Sequence, residues 1–284
     1  TSLRVVNKHL RYAIEDVGVL TPEGEMYYTA NPGFGWTLPE AQGGKFADIY
    51  PACPKAKREY WGVNLTLDKR FSNNWMGGVS YTYSNLTGNY NGLASGDEYG
   101  RANPNTERYF DLWYLAFDRN LDLVDGVLPG DRPHYFKVYG SYTFPFGLTA
   151  GVIVNAMSGV PTSTQWGMDT QGYLPYNRND LGRSPFLWFA NFYTEYNLKL
   201  GKNVLNINVN IDNVFNTHTA QRYYEIYNQG AVSVSDSVLL AGTWDIANYN
   251  PVLDPRYKMK TALYGNPTFG GTPLQARLGF KFMF

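Results

Sequence analysis

Apolar and polar residues alternate one by one along several stretches of this chain, the period of a strand whose two faces meet different surroundings. Over residues 59–70, Trp61, Val63, Leu65 and Leu67 share one face, and Gly62, Asn64, Thr66 and Asp68 share the other. A tight turn predicted at Ser72-Asn73-Asn74 leads to a second stretch. There Trp75, Gly77, Val79, Tyr81 and Tyr83 oppose Met76, Gly78, Ser80, Thr82 and Ser84. The next pair is predicted to turn at Pro145-Phe146-Gly147, between Phe136, Val138, Tyr142 and Phe144 on one side and Leu148, Ala150, Val152 and Val154 beyond it. A third pair turns at Gly201-Lys202-Asn203. It ends in the clearest case, Leu205, Ile207, Val209 and Ile211 against Asn206, Asn208, Asn210 and Asp212. Such a strand separates a wet side from a greasy side. In a soluble sandwich the polar row faces bulk water; in a barrel it faces the lumen, and the period is the same for both.

Connection lengths separate the two. The short turns alternate with long connections at roughly residues 16–56, 88–132, 159–185 and 216–273, far beyond the usual ~4–6 residues. One end of the sheet is trimmed and the other carries the loops. That is the arrangement of outer-membrane barrels, with short periplasmic turns and long extracellular loops. An opening segment near residues 3–15, whose alternation is poor, brings the expected count to about eight antiparallel strands, with both chain ends on the short-turn side.

The last eight residues sharpen this expectation. Leu278, Phe280, Phe282 and Phe284 alternate with Arg277, Gly279, Lys281 and Met283, an edge that would recruit other chains if left bare in water. The stretch fits the closing strand of a barrel, where lipid meets the apolar face and a first strand pairs with the edge. It also resembles the carboxy-terminal insertion signal read by the bacterial barrel-assembly machinery, with Arg277, Gly279, Phe282 and Phe284 in its four defined places.

Composition adds constraints. Aromatics reach 17% of the 284 residues, with 24 Tyr, 16 Phe and 7 Trp, which suits the aromatic girdles at the two membrane interfaces. No run approaches the ~18–20 apolar residues of a spanning helix. The 24 basic and 24 acidic residues balance without a basic cluster, so nucleic acid is not an expected partner. Cys53, the single cysteine, excludes an internal disulfide. No signal segment opens the chain, so a mature, truncated or partial product is expected.

Catalytic signatures are missing: no P-loop, dinucleotide fingerprint, His-Glu-x-x-His or Gly-x-Ser-x-Gly is present, and His9, His134 and His218 are scattered. No enzyme activity, cofactor or metal is expected. Asp118, Asn120 and Asp122 resemble the start of a calcium loop, but Leu123 holds the turn position that needs Gly and Pro129 the position that needs Glu. A polar loop hairpin is the better reading. In the same long loop Asp97, Glu98, Tyr109 and Trp113 are candidates for contacting an extracellular ligand, against packing of the loop onto the rim.

Several stretches resemble the carboxy-terminal barrel of TonB-dependent outer-membrane receptors, particularly the Oar-like group. They are Ile14-Glu15-Asp16, Tyr90-Asn91-Gly92-Leu93, Asp131-Arg132-Pro133-His134, Tyr142 to Gly147, Ser158-Gly159-Val160-Pro161, Asn179-Asp180-Leu181-Gly182-Arg183 and Asn213-Val214-Phe215-Asn216-Thr217. Each is short, and their order along almost the whole chain carries the resemblance. It implies a barrel of about 22 strands closed around an amino-terminal plug. Residues 1–284 are then expected to form its carboxy-terminal part, without the plug domain and the amino-terminal strands. The implied role is outer-membrane transport, import or export, of a solute or protein substrate. Outer-membrane lipid, lipopolysaccharide and the barrel-assembly machinery are the implied partners, and the TonB complex would act only through the missing plug. Glu195, Lys199, Asn206, Asn208, Asn210 and Asp212 would face lumen and plug. The alternative is a self-contained eight-stranded barrel with a structural or surface-binding role.

Overall fold

The computed structural model describes residues 1–21, 24–35, 46–49, 51–92, 110, 113–168, 171–220, 223–258 and 273–284. Eight strands form an antiparallel meander: β1 (Ser2–Leu10), β2 (Arg58–Ser72), β3 (Trp75–Gly88), β4 (His134–Thr143), β5 (Leu148–Met157), β6 (Leu187–Leu200), β7 (Asn203–Asp212) and β8 (Gln275–Met283). Each pairs with its sequence neighbours in that order, and the two-residue strand Gly126–Val127 adds to the end of β3. At 9 to 15 residues, the strands match or exceed the ~9–11 that cross a bilayer at a tilt. Within the described residues β1 and β8 do not pair with each other, so the sheet is open, with two bare edges.

Local chemistry explains the short turns. Asn73 and Asn74 both take positive φ, 53° and 67°, the geometry of a two-residue hairpin turn whose twist matches its strands, and Asn tolerates it. Gly201 (φ 67°) opens the equally short turn between β6 and β7. Between β4 and β5, the Phe144 and Gly147 amides donate to the carbonyls of Leu148 (2.7 Å) and Phe144 (2.9 Å), closing the turn. Met283 pairs with Val204 beside a short turn, while Ser2 pairs with Thr66 midway along β2 and Leu10 with Arg58 at its loop end, so both chain ends face the short-turn side. The opening strand is shorter than the expected 3–15. It stops at Leu10, and Glu15–Thr21 belongs instead to a separate hairpin with Gly24–Ala30. That segment turns away from the wall to bury Ala13 and Val17, which is why its alternation was poor.

The register sorts the wall into two faces. One carries Val63, Leu65, Val79, Val138, Val152, Phe192, Ile207 and Phe280 in laterally adjacent rows. These side chains have no protein over them: Val5 is 70% exposed and Phe280 65%. The core lies elsewhere. Apart from Leu86, Leu187 and Ala190, the buried apolar side chains among the described residues all belong to the long connections. Val17 and Cys53 from the first, Phe110 and Leu115 from the second, Trp166 and Tyr173 from the third, and Val232 and Leu239 from the fourth pack into one cluster. Four loops therefore fold together as a single outer lobe. That core carries the hydrophobic stabilisation a soluble domain would place against its sheet.

Candidate functional site

Two features position the functional surfaces: the two-sided wall and the lobe at its loop end. On the apolar face, aromatic rings gather at two heights. At the loop end Trp61 lies 5.2 Å from Tyr83 and Tyr83 5.3 Å from His134, centroid to centroid. Tyr81 Oη lies 2.8 Å from His134 Nδ1, and Trp188 packs on Phe215 at 5.5 Å. At the short-turn end Tyr142 meets Phe144 at 4.8 Å and Phe144 meets Phe146 at 5.4 Å. Phe282 and Phe284 pair at 6.4 Å there, and the Lys69 ammonium sits 3.9 Å over Trp75. From Trp75 to Tyr83 is eight residues, ~27 Å along the strand, or about 20 Å vertically at a barrel tilt. Among the residues of this face between the belts, none is charged.

The opposite face is polar and internally hydrogen-bonded. Glu195 and Asn208 are cross-strand partners, as are Asn197 and Asn206. The Asn206 amide donates to Glu195 Oε2 (3.2 Å) and Asn197 Oδ1 (2.8 Å). Asn208 donates to Asn206 Oδ1 (3.1 Å) and Asn210 to Asn208 Oδ1 (3.5 Å). Tyr193 Oη donates to Glu195 Oε2 at 2.5 Å, and Arg277 closes the row on Asp212 at 2.5 Å. Four of the six residues expected on this wall (Glu195, Asn206, Asn208 and Asn210) thus form one hydrogen-bonded ladder, and Asp212 continues the row as a separate pair with Arg277. Lys199 shares the face but is exposed at its short-turn end. Tyr193 and Asn197 belong to the ladder as well, Arg277 lies on the same face, and the alternation rule that picked the Asn row marks all three. Farther round, Asn64 donates to Ser80 and Thr82 (3.1 and 2.8 Å) and Tyr139 to Asp68 (2.6 Å).

The residues proposed as an assembly signal have folded-state surroundings. Gly279 lies under the Asn208 amide, where an added Cβ would come 2.6 Å from Oδ1. Arg277 holds Asp212, while Phe282 and Phe284 project from the apolar face, 51% and 101% exposed.

The lobe leans over the polar face. At the loop end Ser84, Leu86, Asn155 and Leu187, all on that face, are buried, while Trp61, Tyr83 and Trp188 on the other stay exposed. The family-like motifs bind the lobe to this rim. Asp131, 1% exposed, accepts the Leu86 amide (2.7 Å) on one oxygen and Arg183 on the other. Arg183 also donates to the Asp131 and Gly159 carbonyls, and Arg132 to that of Ser158 (2.6 Å). Gly159 is needed here because a Cβ would stand 1.7 Å from the Ser184 carbonyl oxygen. Asn213 caps its turn through Thr217, whose hydroxyl donates to the Trp188 carbonyl (2.8 Å). Sequence patterns marked these residues as related without saying that they form a latch.

Inside the lobe, burial pushes the Glu15 carboxyl above its ordinary range, although Tyr90 Oη donates to it. The same desolvation moves the Cys53 thiol up to about 11, leaving it unreactive. Asp118 Oδ1 accepts the amides of Asn120 (2.8 Å) and Asp122 (3.1 Å). The calcium-like stretch is therefore a polar turn closed on itself. Asp97, Glu98 and Tyr109 lie outside the described residues. Trp113 opens a short 3-10 turn that runs into buried Tyr114 and Leu115.

No family model matches the sequence. The chain is 27% identical over 298 residues to the TonB-dependent transporter Oar of Myxococcus xanthus, a match that takes in 98% of this chain and 26% of that protein. The Oar-like resemblance read from the motifs therefore extends over nearly the whole chain.

Proposed function

We propose that residues 1–284 form wall and outer loops in the carboxy-terminal barrel of an Oar-like TonB-dependent transporter of the bacterial outer membrane. The observation that carries this reading is the two-faced wall. A charge-free face bounded by aromatic belts suits lipid on one side, and a hydrogen-bonded Asn–Glu ladder suits a wet lumen on the other. The open sheet, with β1 and β8 unpaired among the described residues, favours a larger barrel of about 22 strands over a closed eight-stranded one.

In this reading the ladder forms the surface against which a plug rests. Its amides are hydrogen-bonded along the wall, so a displaced plug would leave part of the wall's hydrogen bonding in place. The lobe captures the solute or protein substrate from outside, and energy from the TonB complex enters through the plug rather than through these residues. The apolar face meets lipid and, in the outer leaflet, lipopolysaccharide. Arg277, Gly279, Phe282 and Phe284 address the barrel-assembly machinery. No chemical step is assigned to the chain.

Fractionation combined with genetics tests the reading. The protein is expected in the outer-membrane fraction, and deleting its gene should abolish the same solute-dependent growth, or the same secreted protein, as inactivating TonB. Recovery in a soluble fraction, or a deletion phenotype that adds to TonB loss, would contradict it.

A further inference from the structure

On the apolar face of the wall a hollow of about 740 Å³ opens near the short-turn belt. Its floor is backbone, because Gly77 and its cross-strand partner Gly140 have no side chains and Ala150 beside them only a methyl. Leu67, Val138, Val152 and Phe192 wall it, and Trp75 and Tyr142 stand at its short-turn rim. It is a shallow, open depression, whereas the neighbouring row toward the loop end carries large side chains, Leu65, Tyr81 and Phe136.

Resting on the outer-membrane reading above, we infer that this hollow is a binding site for one acyl chain of an anionic phospholipid. The lining is mostly apolar, and it lies between the belts, at hydrocarbon depth, so water is not a favourable occupant. At its mouth Lys69 supplies charge complementarity at the depth where a headgroup phosphate lies. Its ammonium is held there by the Ser72 carbonyl and hydroxyl (both 2.8 Å) and the Trp75 carbonyl (3.1 Å), over the Trp75 ring. Trp and Tyr at the rim suit that same interface. Asp68 and Ser141, which border the hollow through their place in the strands, belong to the opposite, polar face by register.

The test uses the full-length protein from its native membrane, reconstituted with a phosphatidylglycerol that carries a diazirine on its acyl chain. Crosslinks are expected to concentrate on Trp75, Val79, Val138 and Val152. Ala150→Phe, which fills the floor from an existing side chain, should lower them about ten-fold. Ala156→Phe, on the same face outside the hollow, should leave them unchanged. Labelling spread evenly over the apolar face, or unaffected by Ala150→Phe, overturns the site while leaving the membrane reading intact. A co-purified protein crosslinked through the hollow overturns it as well. If no residue of the face takes up lipid label at all, the outer-membrane reading itself has failed.

Discussion

At the scale of single residues, the rim latch and the buried carboxyl make opposite kinds of contribution. Asp131 and Arg183 join two loops through charge-assisted bonds, and Gly159 allows the closest backbone approach among them. Gly159→Ala forces that approach apart and should destabilise the lobe by about 2–4 kcal/mol, read as earlier proteolysis of the third loop on intact cells. Glu15 works against stability at neutral pH. Its folded pKa lies above the ordinary carboxylate value, so the folded state binds the proton more tightly. Lobe stability is then highest where Glu15 is protonated, and falls as pH rises from the ordinary carboxylate value through the raised one. Glu15→Gln should flatten that decline and protect the lobe at pH 8, with little change at pH 4. Hydrogen exchange of Val17 and Phe110 measures it, and an unaltered pH profile would remove Glu15 from the account.

At the scale of elements, strands and turns were legible in the sequence because alternation is a local property. Each apolar row named along β2, β3, β5 and β7 occupies a single face in the observed register, and the Asn-Asn and Gly-Lys turns fall where their φ angles require. The lobe was not legible. Val17, Leu115, Trp166 and Leu239 are far apart in sequence and have no common period, so nothing local announces that they share one core. The latch was half legible: its motifs were visible as family-like strings, but pairing Asp131 with Arg183 requires three dimensions. The two faces of β7 give an element-level prediction. Val209→Arg places a charge among lipid chains and should cost about 2–4 kcal/mol. Asn210→Asp, one residue later on the polar face and cross-strand from Arg277, should cost far less. The heat-dependent gel shift of the folded barrel compares them, and equal losses would mean that the faces are not divided as described.

At the scale of the molecule, stability and function occupy different places. The wall has almost no core of its own and depends on its surroundings on both faces, whereas the lobe is a packed body whose four loops share one interior. In the proposed role, a ligand arriving from outside would meet this single body, covering the polar side of the wall, rather than four independent loops. The central claim beneath this picture is that one face of the wall lies in lipid and the other lines an aqueous space. Fluorophores placed singly from 205 to 212 on β7, in the protein reconstituted into vesicles, test it most directly. Labels at 205, 207, 209 and 211 should be quenched by a nitroxide on the lipid chain, and those at 206, 208, 210 and 212 by a water-soluble quencher. Aqueous quenching at every position, without alternation, would contradict the account.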